Sequence, residues 1–141
     1  FLPHRMENVG TFDGVTYYDD AIATIPEATI DCIDALGNVD TLITGGKDRG
    51  IDYSDLVNYF NEGHVRNLIC MPTTGYKIGD EVTNSDVNIY KVELLEDAVK
   101  LAKEITNKNS ICLLSPAAAS YEYFKNFKEK GNTFKNLVKN D

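Results

Sequence analysis

The sequence lacks an excess of positive charge. It has 14 lysine and arginine residues against 22 aspartate and glutamate residues, which gives a net charge of −8 at neutral pH. Nucleic acids and anionic membranes bind basic surfaces, so we expect neither as a partner. No apolar run approaches the ~20 residues that a membrane span needs, and no secretory signal peptide is recognisable.

Cysteine is scarce, and its spacing is typical of neither a metal site nor a disulfide framework. Cys32, Cys70 and Cys112 each have apolar neighbours, and the sequence contains no CxxC pair or Cys/His cluster. An odd number of cysteines in apolar segments indicates free buried thiols in a reducing compartment. We therefore do not expect the cysteines to bind a metal.

The common catalytic motifs are missing as well. The sequence has neither GxGxxG nor GxxxxGK[ST], the two usual phosphate-cradling loops. His4 and His64 have no sequence neighbours that would suggest a catalytic triad, and no pair of carboxylates is placed for acid–base chemistry. We expect a domain that can bind a charged group but cannot carry out a reaction alone.

The pattern that is present predicts an α/β fold. Two β-prone runs, 5–12 and 15–18, flank Asp13-Gly14, which is a strong signal for a type I′ hairpin. Short apolar strands then alternate with amphipathic helices, which is typical of a parallel sheet covered on both faces. We predict a single Rossmann-like three-layer domain over residues 1–141, with a mostly parallel sheet and an N-terminal β-hairpin. Because the chain begins at Phe1 without a methionine, we expect a domain cut from a longer protein. The predicted later strands are 39–44, 65–71, 87–92 and 110–114, and the helices 24–36, 53–60, 74–82, 94–106 and 120–141.

The segment 111–127 is the most informative part of the sequence. An apolar strand ends at Ser115-Pro116, three alanines follow, and an aromatic-rich helix is predicted to begin at Ser120. A helix N-terminus at the end of a strand is a common anion site in α/β proteins, and small residues allow a ligand to approach the backbone. From the segment alone, Ser120 is equally well explained as an ordinary helix cap.

Three loops should meet at the carboxyl edge of the predicted sheet: 19–24, 45–50 and 115–120. They carry a carboxylate, hydroxyl groups and two cations, a set suited to binding a carboxylate or a phosphate: Asp20, Thr24, Lys47, Arg49, Ser115 and Ser120. Each residue also has a simpler explanation. Asp20 can be a solvated acid, Thr24 the cap of a Thr24-x-x-Glu27 capping box, and Lys47 and Arg49 a solvated turn.

Four motifs, in order along the chain, resemble the signature of the Mur ligase family. They are His4-Arg5-Met6-Glu7, the segment 20–26 (DAIATIP), the glycine-rich segment 45–50 (GGKDRG) and the segment 113–127 (LLSPAAASYEYFKNF). The resemblance spans nearly the whole chain and is most similar to the C-terminal domain of a three-domain ligase.

The resemblance implies an ATP-dependent amide ligase that works in the cytoplasm, in peptidoglycan precursor synthesis. Such an enzyme activates the carboxylate of UDP-N-acetylmuramoyl-L-alanine as an acyl phosphate, which the amine of D-glutamate then attacks. The phosphate loop and the magnesium ligands belong to a central domain and the UDP site to an N-terminal domain. This chain would bind the amino acid and close over ATP and magnesium, and we expect a monomer.

The motif match assigns roles to individual residues. Arg5 and Asp20 would contact ATP, Asp20 through the ribose. The glutamate site would consist of Thr24, Arg49, Ser120, Tyr121 and Phe127, with Tyr121 contributing its backbone. Arg49 can pair bidentately with a carboxylate.

Two positions depart from the family pattern. Ile22 stands where the family has a lysine, which removes a positive charge, and Arg49 replaces a lysine. Whether the amino acid is D- or L-glutamate therefore stays open. The alternatives are a related ligase that adds L-glutamate or another amino acid, and a Rossmann-like binding module without ligase activity.

Overall fold

The structure is a computed structural model that describes residues 2–120 and 123–140. The strands of the described part are β1 Glu7–Phe12, β2 Val15–Asp19, β3 Val39–Thr44, β4 Asn67–Cys70, β5 Asn88–Lys91 and β6 Ile111–Leu114. The helices are α1 Pro26–Leu36, α2 Ser54–Asn61, α3 Thr74–Glu81, α4 Leu95–Ile105 and α5 Phe127–Lys139. None of the described helices is long and apolar enough to cross a membrane.

The strands form one six-stranded sheet in the order β1-β2-β6-β3-β4-β5. Only β1 is antiparallel to its neighbour, whereas β2, β6, β3, β4 and β5 run parallel. The carboxyl ends of these five strands therefore lie along one edge, with Leu114 of β6 paired to both Asp19 and Ile43. The predicted mostly parallel sheet is confirmed.

The hairpin that opens the chain has the predicted turn. Asp13 and Gly14 both adopt positive φ, 52° and 84°, as a type I′ turn requires, and Phe12 pairs with Val15. This hairpin places β2, and with it Asp19, beside β6. The β-hairpin prediction is confirmed.

Alternating side chains of the sheet build one core on each face. On one face, Leu42, Leu68 and Leu113 pack among residues of α1, α2 and α3. On the other face, Ile43, Ile69 and Leu114 pack with residues of α4 and α5. Because successive strand residues point to opposite faces, fully buried strands such as β4 supply both cores. The predicted three-layer arrangement is confirmed.

The last helix begins later than predicted. It starts at Phe127, and the side chain of Asn126 caps it by accepting a hydrogen bond of 3.0 Å from the Glu129 amide. Ser120 lies in the loop that follows β6, so the prediction of a helix starting there is wrong. The backbone of this loop is committed elsewhere, since Ala117 has a φ of 56° and Ala119 accepts a hydrogen bond from the Lys47 amide.

Gly131 does not interrupt α5, although glycine is a poor helix former. It lies inside the helix, where a β-carbon would come within 2.2 Å of Nδ1 of His4. The glycine therefore allows the helix to approach the start of the chain closely.

The predicted capping box of the first helix is also wrong. The N-cap of α1 is Ile25, which makes no side-chain capping bond, and Thr24 is exposed outside the helix. Pro26 occupies the first turn as expected, and Gly37 ends the helix with a φ of 64°. The remaining elements agree with the predictions to within about two residues at most boundaries.

Candidate functional site

The three predicted loops meet at the carboxyl edge of the sheet. The Asp20 amide donates to the Leu114 carbonyl at 2.8 Å, and the Ser115 amide to the Ile43 carbonyl at 3.1 Å. The Gly45 amide donates to the carbonyl of Pro116 at 3.0 Å. The loop after β6 therefore lies between the loops after β2 and β3.

Asp20 is a buried hydrogen-bonded acid rather than a solvated one. It is 4% exposed; its Oδ1 accepts the Met6 amide at 3.1 Å, and its Oδ2 accepts the Ser115 hydroxyl at 2.8 Å. The Thr29 hydroxyl extends this network to Ser115 at 2.9 Å. Burial raises the pKa of Asp20 despite the hydrogen bonds from Ser115 and Met6, which act in the opposite direction.

Arg5 and Asp20 line one groove of about 350 Å³ beside α1. Ile22 lies on the same groove, and the small side chains of Ala28 and Ala35 form its helical wall. The groove therefore offers a cation, a fixed carboxylate and an apolar surface. The structure brings the two residues assigned to ATP together, and it places Ile22 beside them.

His4 is a buried residue whose partner the sequence did not reveal, because the two residues are 15 positions apart and meet only in the folded chain. Its Nδ1 lies 2.6 Å from Oδ2 of Asp19, and both residues are buried. The carbonyl of His4 accepts the Ile22 amide at 3.1 Å, and its ring meets the edge of Phe127 at a centroid distance of 6.1 Å. The pair fixes the backbone next to Arg5.

The magnesium ion implied by the family resemblance does not fit the described residues. His4, Glu7 and Asp19 are the group whose ligand atoms lie close enough to hold a metal. However, the short His4–Asp19 contact and the 3.1 Å ion pair between Glu7 and Lys135 already engage their ligand atoms. Magnesium prefers an octahedral set of oxygen ligands, which this group does not provide. The cluster is a hydrogen-bond network.

The glycine-rich loop after β3 is held on several sides. The Gly46 amide donates to the Thr74 hydroxyl at 2.9 Å, and its carbonyl accepts the Thr73 amide at 2.8 Å. A β-carbon on Gly46 would come within 2.3 Å of the Ala119 carbonyl oxygen. The close approach explains why glycine occupies this position.

Arg49 is exposed on the distal part of this loop. Next to it, Asp48 accepts the Gly50 amide at 2.9 Å and forms an ion pair with Lys77. The Lys47 amide pairs with the Ala119 carbonyl at 2.9 Å, which brings the Arg49 loop next to the segment that contains Ser120. Arg49 is therefore exposed on a turn whose neighbouring residues are fixed by hydrogen bonds and an ion pair.

The other residues assigned to the amino-acid site are less closely grouped. Ser120 is partly buried, Phe127 lies at the first turn of α5, and Thr24 is exposed on the loop before α1. Tyr121 lies outside the described residues. Ser120 cannot act through a helix dipole, because no described helix begins there.

The three cysteines are free and buried, as predicted. Burial raises the pKa of all three thiols, in the case of Cys70 to about 12. Thiolates, the reactive form, are therefore disfavoured. All three cysteines belong to the two cores, and Cys32 also lines the groove of Arg5 and Asp20.

Sequence comparison defines the class of protein. Residues 4–118 match the family described as Mur ligase, glutamate ligase domain. The chain belongs to this family, as its four motifs predicted.

Individual relatives carry a more specific name. The chain is 40% identical over 144 residues to the UDP-N-acetylmuramoylalanine--D-glutamate ligase of Clostridium beijerinckii, covering 98% of this chain and 31% of that protein. It is 37% identical over 139 residues to the ligase of the same name from Aquifex aeolicus, covering 97% of this chain and 33% of that protein. The chain thus spans about a third of the length of these relatives.

Solved structures share the fold at low sequence identity. The bifunctional folylpolyglutamate synthase/dihydrofolate synthase of Yersinia pestis superposes with a TM-score of 0.67 at 16% identity, covering 97% of this chain and 31% of that one. The MurF ligase of Thermotoga maritima, solved in complex with ADP, gives a TM-score of 0.60 at 15% identity, covering 98% and 32%. These similarities support the fold assignment.

Proposed function

We propose that this chain is the C-terminal, amino-acid-binding domain of a cytoplasmic, monomeric ligase that adds D-glutamate to UDP-N-acetylmuramoyl-L-alanine at the expense of ATP. The observation that carries the proposal is the arrangement of two charged sites along one edge of the sheet. The groove of Arg5 and Asp20 lies on one side of the loop after β6, and the loop of Arg49 lies on the other.

The groove is suited to the nucleotide. Asp20 is held by two hydrogen bonds, and a carboxylate has about four acceptor positions, so it can still accept a hydroxyl group of a ribose. Arg5 supplies a cation on the same groove, and Ile22 with the alanines of α1 supplies apolar contact. ATP is the ligand that matches this combination, and the MurF ligase of Thermotoga maritima was solved in complex with the related nucleotide ADP.

The Arg49 loop is suited to the amino acid. A guanidinium binds a carboxylate through two parallel hydrogen bonds, and glutamate carries two carboxylates. Ser120 would supply a hydroxyl to the same ligand, with Tyr121 contributing backbone, and Phe127 and Thr24 would close the site. The domain contributes by holding the amine nucleophile in position rather than by proton transfer.

The remaining chemistry belongs to other domains. Bound Mg-ATP supplies the phosphoryl group that activates the acceptor carboxylate. The described residues provide no phosphate-cradling loop and no oxygen cage for magnesium. The role of this domain is to bring Arg5, Asp20 and Arg49 to the reactants when it closes against the central domain.

The test is an assay of the full-length protein for phosphate release from ATP with UDP-N-acetylmuramoyl-L-alanine and either D- or L-glutamate. We expect release that depends on the acceptor and is faster with D-glutamate. Faster turnover with L-glutamate would support the alternative that Ile22 suggests, a related ligase with changed amino-acid specificity. No glutamate-dependent release with either isomer would reject the glutamate ligase and favour a ligase for another amino acid or a binding module.

A further inference from the structure

Lys130 is a buried lysine on the inner side of α5. It is 3% exposed, and its Nζ donates a hydrogen bond of 3.1 Å to the carbonyl oxygen of Gly45. Among residues 2–120 and 123–140, no carboxylate forms an ion pair with it. Lysine is almost never fully buried without a partner, because removing an ammonium group from water is costly.

An apolar residue would be the ordinary choice at this position. Phe134 and Val138, four and eight residues further along the helix, are buried in the core. This spacing marks the inward face of a helix, where Lys130 is the exception. A cation kept there at such a cost points to a role for its hydrogen bond.

The hydrogen bond acts on the base of the glycine-rich loop. Gly45 directly follows β3, and its amide already donates to Pro116 in the loop after β6. A β-carbon on Gly45 would lie 2.3 Å from the Met71 carbonyl oxygen, so the peptide is closely confined. Lys130 adds the restraint from the helical side, and the loop it secures leads to Arg49.

The same helix carries Phe127 at its start. Lys130 lies three residues after Phe127, about one helical turn, so a single side chain connects the helix start with the Arg49 loop.

We propose that Lys130 is a positioning residue for the amino-acid site, which fixes the Arg49 loop relative to Phe127 through the Gly45 carbonyl. The proposal rests on the proposed function of this edge of the sheet. The Nζ of Lys130 donates to the Gly45 carbonyl, so its effect on the amino acid is exerted through the loop.

The charge state of Lys130 supports this role. Burial lowers its pKa to about 8, so the ammonium is still mostly protonated at neutral pH. A charged donor makes a stronger hydrogen bond to a carbonyl than a neutral one does. Glu93 lines the small cavity that Lys130 borders, and its carboxylate accepts the Tyr123 hydroxyl at 2.9 Å.

The test compares Lys130→Met with Lys128→Met in the full-length protein. Methionine has a similar length and suits a buried position, whereas Lys128 is exposed on the same helix. We expect Lys130→Met to raise the KM for glutamate by about tenfold, as for the loss of a charged hydrogen bond, and the KM for ATP by less than about twofold. Lys128→Met should change neither. An unchanged KM for glutamate, or an equal rise in both constants, would overturn the proposal.

Hydrogen exchange gives a readout that does not depend on activity. We expect faster amide exchange in residues 45–50 of Lys130→Met than in the unsubstituted protein, and no such change in Lys128→Met. If the unsubstituted protein shows no glutamate-dependent turnover, the proposed function fails, while unchanged exchange in 45–50 would refute the positioning role separately. If Lys130→Met does not fold, Lys130→Gln, which removes the charge and places its donor one bond short of the lysine Nζ, takes its place with the same expected results.

Discussion

The groove of Arg5 and Asp20 and the loop of Arg49 are built in different ways. In the groove, Asp20 directly follows β2, and its carboxylate is fixed by Met6 and Ser115. In the loop, the backbone is fixed at Gly45 and Gly46, but Arg49 projects into solvent three residues further along. One site is largely preformed, whereas only the base of the other is.

Helix α5 contacts both sites. Lys130 binds the Gly45 carbonyl below the Arg49 loop, and Lys135 pairs with Glu7, which also accepts the His4 amide next to Arg5. Burial alone would raise the pKa of Glu7, but the hydrogen bonds from His4 and Lys135 outweigh it and lower the pKa. Both sites are therefore held by α5, and they differ in how far the ligand-binding side chain, Asp20 or Arg49, lies from the fixed backbone.

The largest effect is expected from Gly46→Ala, which tests whether the base of the Arg49 loop is rigid. The new β-carbon would lie 2.3 Å from the Ala119 carbonyl, which a backbone can relieve only by shifting. We expect a loss of about 3 kcal/mol in the free energy of unfolding, measured by urea denaturation. A loss of this size would show that the loop base cannot adapt.

Gly37→Ala is the matched control for this substitution. Gly37 has open space around its α-carbon, so only its backbone conformation, a φ of 64° with a ψ of −178°, disfavours alanine. Because this conformation is nearly confined to glycine, we expect a cost of about 2 kcal/mol without any steric clash. Equal losses in the two variants would mean that the Gly46 loop relaxes easily and is not rigid.

An intermediate effect is expected from a reciprocal pair of substitutions in the full-length protein. Arg49→Ala should raise the KM for glutamate about tenfold or more and leave the KM for ATP nearly unchanged, because a charged partner of a carboxylate is lost. Arg5→Ala should do the reverse. Steady-state kinetics with each substrate varied in turn separates the two.

The distinction between the two sites fails if the effects of the two substitutions on the two KM values do not separate. If Arg49→Ala raises both constants equally, Arg49 lies outside the amino-acid site. If Arg5→Ala affects only glutamate, the groove beside α1 does not hold the nucleotide.

The same contrast explains what the sequence could predict. Asp20 could be placed because it follows a parallel strand, and the sheet brings such residues to one edge whatever the details of the loops. The hairpin could be predicted from Asp13-Gly14, and the sheet and its layers from the apolar periodicity of the strands and helices. These signals are local, or repeat along an element.

The errors concern backbone whose hydrogen bonds go to distant segments. Ser120 resembled a helix start, but the loop around it pairs with Lys47, more than seventy residues earlier in the chain. Asn126, the true cap, was overlooked because several residues in 120–127 are compatible with a helix. Thr24 matched the capping-box spacing, yet α1 begins with Pro26 and has no side-chain cap. Lys130 and His4 were missed because their partners, Gly45 and Asp19, are contacts of the folded state.

The smallest effect concerns the cost of keeping the Asp20 carboxylate buried in the preformed groove. Burial raises its pKa above the ordinary value of ~3.9, so the folded protein binds the proton more tightly than the unfolded chain does. Stability should therefore fall as the pH rises from the unfolded pKa through the folded one, and then stay level as far as this group is concerned.

Asp20→Asn keeps an oxygen for the Met6 amide but does not titrate, so its advantage in stability over the unsubstituted protein should grow across that window. Urea denaturation at a series of pH values between ~3 and ~7 measures this difference. A constant difference would mean that Asp20 remains hydrated, and the groove would then be no more preformed than the Arg49 loop.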